Sequence, residues 1–356
     1  MRRTQILFLG LALAALPASL SAQLTVSARA ADISVGGLFQ TQYTISSVDG
    51  SGGGADAVDD VFIRRARINL DLRVGALDAR IEPDFGGRGA GVGLADLYAR
   101  LTFGRPLRVS VGQFKRAFSL FELSSDTDLP FIERDARIEG LTSCPGVGGV
   151  CTFSRLAARL QFDERDMGLR AEGDLGSKVT YMVTLTNGEG RNAADVNDAK
   201  SVSGRATVAL TPRIRLAGFG GSHDYLSGTT TRRAGALGAD VEVGTWRRGL
   251  HVIAGVIGGD NWLASTSSEF LAAQSQFSWY AALPEGGRFV GIEPMLRVDR
   301  SAAEDAAGVE LSALTLTPGL ALYVAGKNWL GLNLDHYNPA RGDSEWSFKT
   351  QLYFYY

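Results

Sequence analysis

The sequence predicts an all-β protein, a 16-stranded antiparallel transmembrane β-barrel, and three observations carry that prediction. The first is the carboxyl end, residues 344–356, which alternates without a break. Trp346, Phe348, Leu352, Phe354 and Tyr356 take one side, and Ser347, Lys349, Gln351 and Tyr353 take the other. A period of two over this length is a half-buried strand. Aromatics carried to the last residue suit the closing strand of a barrel, whose aromatic girdle sits at the membrane interface. An edge strand of a soluble sandwich would alternate in the same way. The second observation is an export signal with no later membrane-spanning run, and the third is the number and spacing of alternating segments.

At the amino end, Arg2 and Arg3 precede an apolar run at 6–16, which Pro17 breaks and Ser19-Leu20-Ser21-Ala22-Gln23 follows. That order is the charged start, apolar middle and small-residue exit of a secretory signal peptide. Cleavage after Ala22 makes 1–22 the signal and 23–356 the barrel, with Ala28-Arg29-Ala30 a second choice of site. The run is too short to cross ~30 Å of hydrocarbon. Charged residues interrupt every later apolar run, so the exported chain is either soluble or enters the membrane as a barrel. No other structure satisfies its backbone in lipid.

Composition narrows the partners. Removing 1–22 takes two arginines and no acids from 36 bases and 38 acids, which leaves 34 against 38, a formal charge of −4. That balance excludes a general nucleic-acid-binding surface. The two cysteines stand in Cys144-Pro145-Gly146-Val147-Gly148-Gly149-Val150-Cys151. In an oxidising compartment this spacing favours a Cys144–Cys151 disulfide over two free thiols. Two such ligands alone rarely hold zinc, so no metal and no cofactor is expected.

Alternating segments run at 33–45, 60–74, 77–85, 92–103, 106–115, 164–174, 178–186, 201–210, 213–222, 232–243, 248–258, 268–282, 287–299, 311–325, 328–337 and 344–356. Each is near the ~9–11 residues that cross a bilayer at a tilt. Tight turns fall at Gly75-Ala76, Gly104-Arg105, Thr211-Pro212, Pro284-Glu285-Gly286 and Gly326-Lys327. Between them lie longer polar or glycine-rich links, at 46–59, 86–91, 187–200, 223–231, 259–267, 300–310 and 338–343. Short turns on one side and long loops on the other are the habit of bacterial barrels. Pro318 counts against its own segment, because proline cannot donate to a central ladder.

Parity sorts the faces. In the second segment Phe62, Ala66, Ile68, Leu70, Leu72 and Val74 oppose Arg65, Arg67, Asn69, Asp71 and Arg73. The next two segments repeat the rule, with Asp78, Arg80, Glu82, Asp84, Asp96 and Arg100 on the polar side. A barrel sends the apolar side to lipid and the charged side to a wet lumen. On that reading Arg65, Arg67, Arg80 and Arg100, from three successive segments, form one basic patch in the pore.

These residues resemble a known family. Val61-Phe62-Ile63-Arg64-Arg65-Ala66-Arg67-Ile68 is similar to the opening arginine-rich strand of the phosphate-selective porins of the O and P type. Val111-Gly112-Gln113-Phe114-Lys115-Arg116-Ala117-Phe118-Ser119 resembles the run into their third loop. Thr186-Asn187-Gly188-Glu189-Gly190 with Gly204-Arg205, and Gly291-Ile292-Glu293-Pro294-Met295-Leu296-Arg297, resemble later landmarks, in order along nearly the whole mature chain.

The resemblance implies a homotrimer in the outer membrane of a Gram-negative-type bacterium, surrounded by lipid and carrying small anions or polar solutes passively, phosphate among them. It also implies an infolded third loop that narrows the pore, and the long link 116–163 stands in its place as the constriction-loop region. Lys115, Arg116, Glu122, Asp126, Asp128 and Arg134 are its candidate functional residues. The family's selective members carry a lysine there; here no base lies between Arg116 and Arg134. Residues 115–143 hold four bases and six acids, which puts phosphate selectivity in doubt and keeps a non-selective diffusion pore as the alternative.

Two arrangements of the charges are open. An acidic loop facing the basic patch would set a transverse field across the pore. Alternatively, the arginines pair with Asp71, Asp78, Glu82 and Asp96 on neighbouring segments. Catalysis has little support, since His223 falls at a strand end, His336 takes the lipid-facing parity, and His251 lies in an apolar strand without a nearby serine. A gated transporter needs a plug ahead of the first strand, where this sequence leaves no room, and a structural anchor needs longer external loops.

Overall fold

Segments that alternate at every second residue satisfy their backbone by pairing edge to edge. A computed structural model describes residues 24–28, 31–50, 54–87, 91–136 and 152–356. Its strands are β1 (Leu24–Ala28), β2 (Ala31–Gly50), β3 (Gly54–Val74), β4 (Leu77–Asp84), β5 (Gly93–Gly104), β6 (Leu107–Lys115), β7 (Arg165–Leu175), β8 (Val179–Thr186), β9 (Ser201–Thr211), β10 (Ile214–Ser227), β11 (Thr230–Gly244), β12 (Gly249–Asp260), β13 (Glu269–Ala282), β14 (Gly291–Glu304), β15 (Glu310–Ala325), β16 (Asn328–Pro339) and β17 (Glu345–Tyr355).

From β2 to β17 each strand pairs antiparallel with the next, and β17 pairs back onto β2 from Trp346↔Ser47 to Tyr355↔Leu38. The result is a closed barrel of 16 strands, which leaves no sheet edge open. The short β1 folds back on β2, Leu24 opposite Val35. It occupies the stretch of β2 beyond Leu38, where β17 has ended.

The faces are inverted relative to a soluble protein. Val61 and Leu237 are 72% and 75% exposed, whereas Gln40, Lys349 and Gln351 are 2%, 0% and 1% exposed. A soluble sandwich buries its apolar face; this chain buries its polar one, as a barrel in lipid does. The carboxyl strand follows its predicted parity, with Trp346, Leu352 and Phe354 outward and Ser347, Lys349, Gln351 and Tyr353 buried.

The sixteen predicted segments correspond in order to β2–β17, and several bounds differ, the predicted link 223–231 being mostly ladder of β10 and β11. Most of the link 46–59 is ladder, because β2 runs to Gly50 and β3 starts at Gly54, through polar sequence that an apolar period cannot mark. β14 sits later than 287–299, ending at Glu304. β15 continues through Pro318, where its pairing with β16 is interrupted between Leu316↔His336 and Gly319↔Asn333 with the register unchanged. Proline has no N–H to fill that gap.

The described residues between β6 and β7 include the short helices α1 (Leu120–Leu123) and α2 (Phe153–Arg159), with a 3-10 turn at Asp126–Asp128. The segment's apolar side chains divide between two cores. Phe118, Phe121, Phe153, Leu156 and Phe162 pack with Phe219, Ile253, Ile257 and Phe270 of β10, β12 and β13. Phe131 and Ile132 pack with Leu38, Met295, Tyr323, Trp329 and Tyr353. Cys144 and Cys151 lie outside the described residues.

Candidate functional site

The site begins with a β-bulge in β3. Gln40 pairs with Arg65 and Thr41 with Ile63, which leaves Arg64 as the extra residue. A bulge inserts one residue and shifts the alternation beyond it. Arg64, Arg65 and Arg67 therefore reach the same group of carboxylates, and Phe62 shares a face with the buried Gln42 opposite it. Parity alone placed Phe62 outward and passed over Arg64.

Arg67 is the hub on the strand side. Its Nε donates to Asp84 Oδ2 at 2.7 Å, and its Nη1 lies 3.0 Å from Glu82 Oε1 and 2.5 Å from Asp126 Oδ2. Arg64 grips Glu133 with two parallel bonds of 2.5 and 2.9 Å. Arg65 donates to Gln40 Oε1 at 2.8 Å and stands 3.7 Å from Asp126 and 3.6 Å from Glu133.

Asp126 is the hub on the segment side. Besides Arg67 it takes Arg134 Nη2 at 2.6 Å. Burial pushes its carboxyl up, but Arg65, Arg134 and Arg67 outweigh burial and hold it well below the usual carboxylate range. Glu133 is lowered in the same way, with burial opposed by Arg64 and Arg65. Arg134 also reaches Glu122 at 3.4 Å, while Lys115 Nζ donates to the Glu122 and Ser124 carbonyls at 2.6 and 2.8 Å. Arg165 joins through Asp96 at 2.7 Å. Arg64, Arg65, Arg67, Lys115, Arg134 and Arg165 thus face Glu82, Asp84, Asp96, Glu122, Asp126 and Glu133. The cluster is formally neutral.

More distant contacts fix the segment elsewhere. Arg205 of β9 donates to Phe118 O at 3.0 Å, and Arg297 of β14 donates to Glu133 O at 2.8 Å. Lys327, in the β15–β16 turn, holds Asp128 at 2.7 Å. Arg116 is buried and donates to the Gln161 and Ser222 carbonyls, the second at 2.9 Å; burial pushes it down to about 10, so it stays charged at neutral pH.

The predicted basic patch divides in two. Arg65 and Arg67 line a cavity of about 520 Å³ together with Arg134, Arg155, Arg159 and Arg191. Arg80 and Arg100 line a separate cavity of about 390 Å³, with Asp71, Asp78 and Tyr98. There Arg80 holds Asp71 through two bonds of 2.7 and 2.9 Å, and Arg100 sits 3.5 Å from Glu172. Parity along a strand gives the face and not the height, so it merged two levels of one wall.

A family model described as phosphate-selective porin O and P matches residues 35–234. The chain belongs to that family. No curated protein matches it in sequence. Among solved structures it is similar to the outer membrane channel DcaP of Acinetobacter baumannii, at 14% identity and a TM-score of 0.61, covering 92% of this chain and 99% of that one. The anion-selective porin from Comamonas acidovorans is 12% identical, with a TM-score of 0.61 over 92% of this chain and 100% of that one. The trimer form of OmpT of Vibrio cholerae is 9% identical, with a TM-score of 0.61 over 92% and 100%. At these identities the likeness concerns the fold.

The protein is an outer-membrane porin, a channel for small solutes and not an enzyme. The histidines of this porin have structural surroundings. His223 stacks against Trp262 with ring centres 4.9 Å apart, His251 lies 3.0 Å from Glu242, and His336 is on the exposed face. Sequence reasoning missed Arg64, Glu133, Arg155, Arg159 and Arg191. Two adjacent arginines inside a strict alternation were a visible sign of the bulge. The spacing of Arg155 and Arg159 by one helical turn was a sign of α2.

Proposed function

We propose that this porin passes small anionic and polar solutes by passive diffusion across the outer membrane of a Gram-negative-type bacterium, with segment 116–163 folded inward as its constriction. The carrying observation is the neutral ion-pair cluster. It ties the segment to β3 and leaves two cavities along the β3–β5 wall, one with Arg65 and Arg67 and one with Arg80 and Arg100.

The larger cavity supports a preference for anions. Outside the cluster and the Arg155–Asp135 pair at 2.8 Å, it is lined by Arg159 and Arg191 against Glu164 and Glu189. Arginine stays charged. Burial, and then Glu122, pushes Glu164 up; burial, with Asp195 and Asp166 nearby, does the same to Glu189. Both carboxyls are therefore held less readily as anions than a free carboxylate, while the arginines keep their charge. A general diffusion pore is the second reading, favoured by the neutrality of the cluster itself. Assembly as a homotrimer is supported by the trimer form of OmpT and by family membership.

The test is solute uptake by liposomes containing the purified protein. Swelling is expected in small organic anions and small neutral sugars, faster for the anions of equal size. Vesicles that swell in neither would refute the channel reading; equal rates would favour general diffusion.

A further inference from the structure

A third cavity, of about 200 Å³, lies at the long-loop end of the barrel, between the β10–β11 hairpin and the link from β12 to β13. It shares no lining residue with the two cavities of the β3–β5 wall. One side of it is a stack of rings. Trp262 lies on Tyr225 with ring centres 4.5 Å apart and planes at 27°. The buried His223 backs both, at 4.9 Å from Trp262 and 6.0 Å from Tyr225. Trp262 Nε1 donates to Leu160 O at 2.9 Å, which anchors the indole to the residue after α2. Tyr225 and Trp262 line the cavity.

The other side is polar and locally balanced. Arg232 stands opposite Tyr225 in the β10–β11 register. Among the described residues it makes no ion pair, unlike its neighbour Arg233, which holds Asp224 through two bonds of 2.7 and 2.9 Å. Asp260 accepts from Gly235 N at 2.7 Å through Oδ2, and among the described residues no base pairs with its carboxylate. Thr266 adds a hydroxyl to the lining. One unmatched cation and one unmatched carboxylate therefore share the cavity with an aromatic face. Tyr225 and Arg232 have the parity of the buried Phe219, His223 and Ala234, so the cavity faces the lumen and not the lipid.

We propose that this cavity binds one ring of a free, neutral sugar at the external mouth of the channel. This rests on the porin reading above, in which the long loops are external. A sugar ring presents a face of C–H bonds, whose slight positive charge meets the negative face of an aromatic ring. Its hydroxyls both donate and accept, so they suit a guanidinium and a carboxylate placed together. An apolar surface with a few convergent polar groups is the usual build of a small-molecule site. An inorganic anion would gain Arg232, be repelled by Asp260 and use neither ring. The site is thus a holding point for neutral solute, separate from the charged cluster.

The experiment records chloride current through single channels of the purified full chain in planar bilayers while D-glucose is titrated in. D-mannitol, an open-chain polyol without a ring face, is titrated in parallel. Wild type, R232Q, R232Q/D260N, W262L and the exposed-loop control R341Q are compared, each checked for the folded form by heat-modifiable migration. We expect glucose to reduce the current saturably, and alike, in wild type and R341Q, beyond the effect of mannitol. The double variant should need at least tenfold more glucose, R232Q should fall between, and W262L should resemble the double variant. Trp262 also anchors α2, so the exposed and unpaired Arg232 keeps the test independent of folding. Equal effects of glucose and mannitol, or the same glucose block in wild type and double variant, would overturn this inference alone. Absence of conductance steps in the wild type would overturn the porin reading with it.

Discussion

Asp126→Asn isolates the fastening of the segment between β6 and β7 to β3. The side chain keeps its size and one acceptor but loses the charge shared by Arg67 at 2.5 Å, Arg134 at 2.6 Å and Arg65 at 3.7 Å. Breaking a buried pair by removing one partner costs about 3–5 kcal/mol, because the other charge is left uncompensated. Arg67 retains Glu82 and Asp84, and Arg134 retains Glu122, so the lower end applies. About 3 kcal/mol is roughly two powers of ten in the population of the released segment. The barrel ladder does not use this side chain, so the strands stay paired while the segment loosens. The assay is single-channel conductance with its open-state noise, alongside limited proteolysis. The variant should show larger and noisier openings and faster cleavage within the segment. Conductance, noise and cleavage indistinguishable from wild type would refute the reasoning.

Other perturbations address separate parts of the account. Phe131→Ala removes a buried ring that lies 5.0 Å from the Arg297 guanidinium, and core Phe→Ala changes cost about 3–5 kcal/mol. Proteolysis within the segment should accelerate, and wild-type resistance would count against the second core. Leu237→Arg, on the outward face midway along β11, should lower unfolding stability in vesicles by up to about 2–4 kcal/mol. An unchanged denaturation midpoint would contradict the assignment of that face to lipid. Lowering the pH from 7.5 to 5.5 should raise anion preference, because the raised Glu164 and Glu189 gain protons above the ordinary carboxylate range. The fastening should persist over the same interval. Asp126 is depressed, so its contribution is present above the unfolded value of about 3.9 and is lost only as pH falls through the lower folded value. A shift toward cations, or a release of the segment at pH 5.5, would contradict this assignment of charges.

The strands were legible because period-two alternation is written in neighbouring residues, and reading the alternation as a barrel rested on the number of segments and the aromatic carboxyl strand. The helices were not legible. The first backbone N–H of α1 donates to Asp240 of β11, and that of α2 donates to Asp299 of β14, at 3.0 and 2.7 Å. Both of these acceptors lie more than a hundred residues away in sequence, whereas the local cap of α1, Ser119 Oγ accepting from Glu122 N at 3.3 Å, is a short-range signal that went unread. The charged site was half legible. Alternation gave Arg65 and Arg67 their face, the bulge at Arg64 moved its neighbours, and the acids that answer them come from the segment and from β4. Of the two open arrangements the structure contains the pairing one, with Arg67 on Glu82, Arg80 on Asp71 and Arg73 on Asp78, and Asp126 of the segment joins Arg67 as well.

The most direct test of the central claim is the reversal potential of the purified protein in a planar bilayer under a salt gradient. The account predicts discrete conductance steps and a reversal potential on the anion side of zero. A bilayer that shows no steps, or a reversal potential on the cation side, would contradict it.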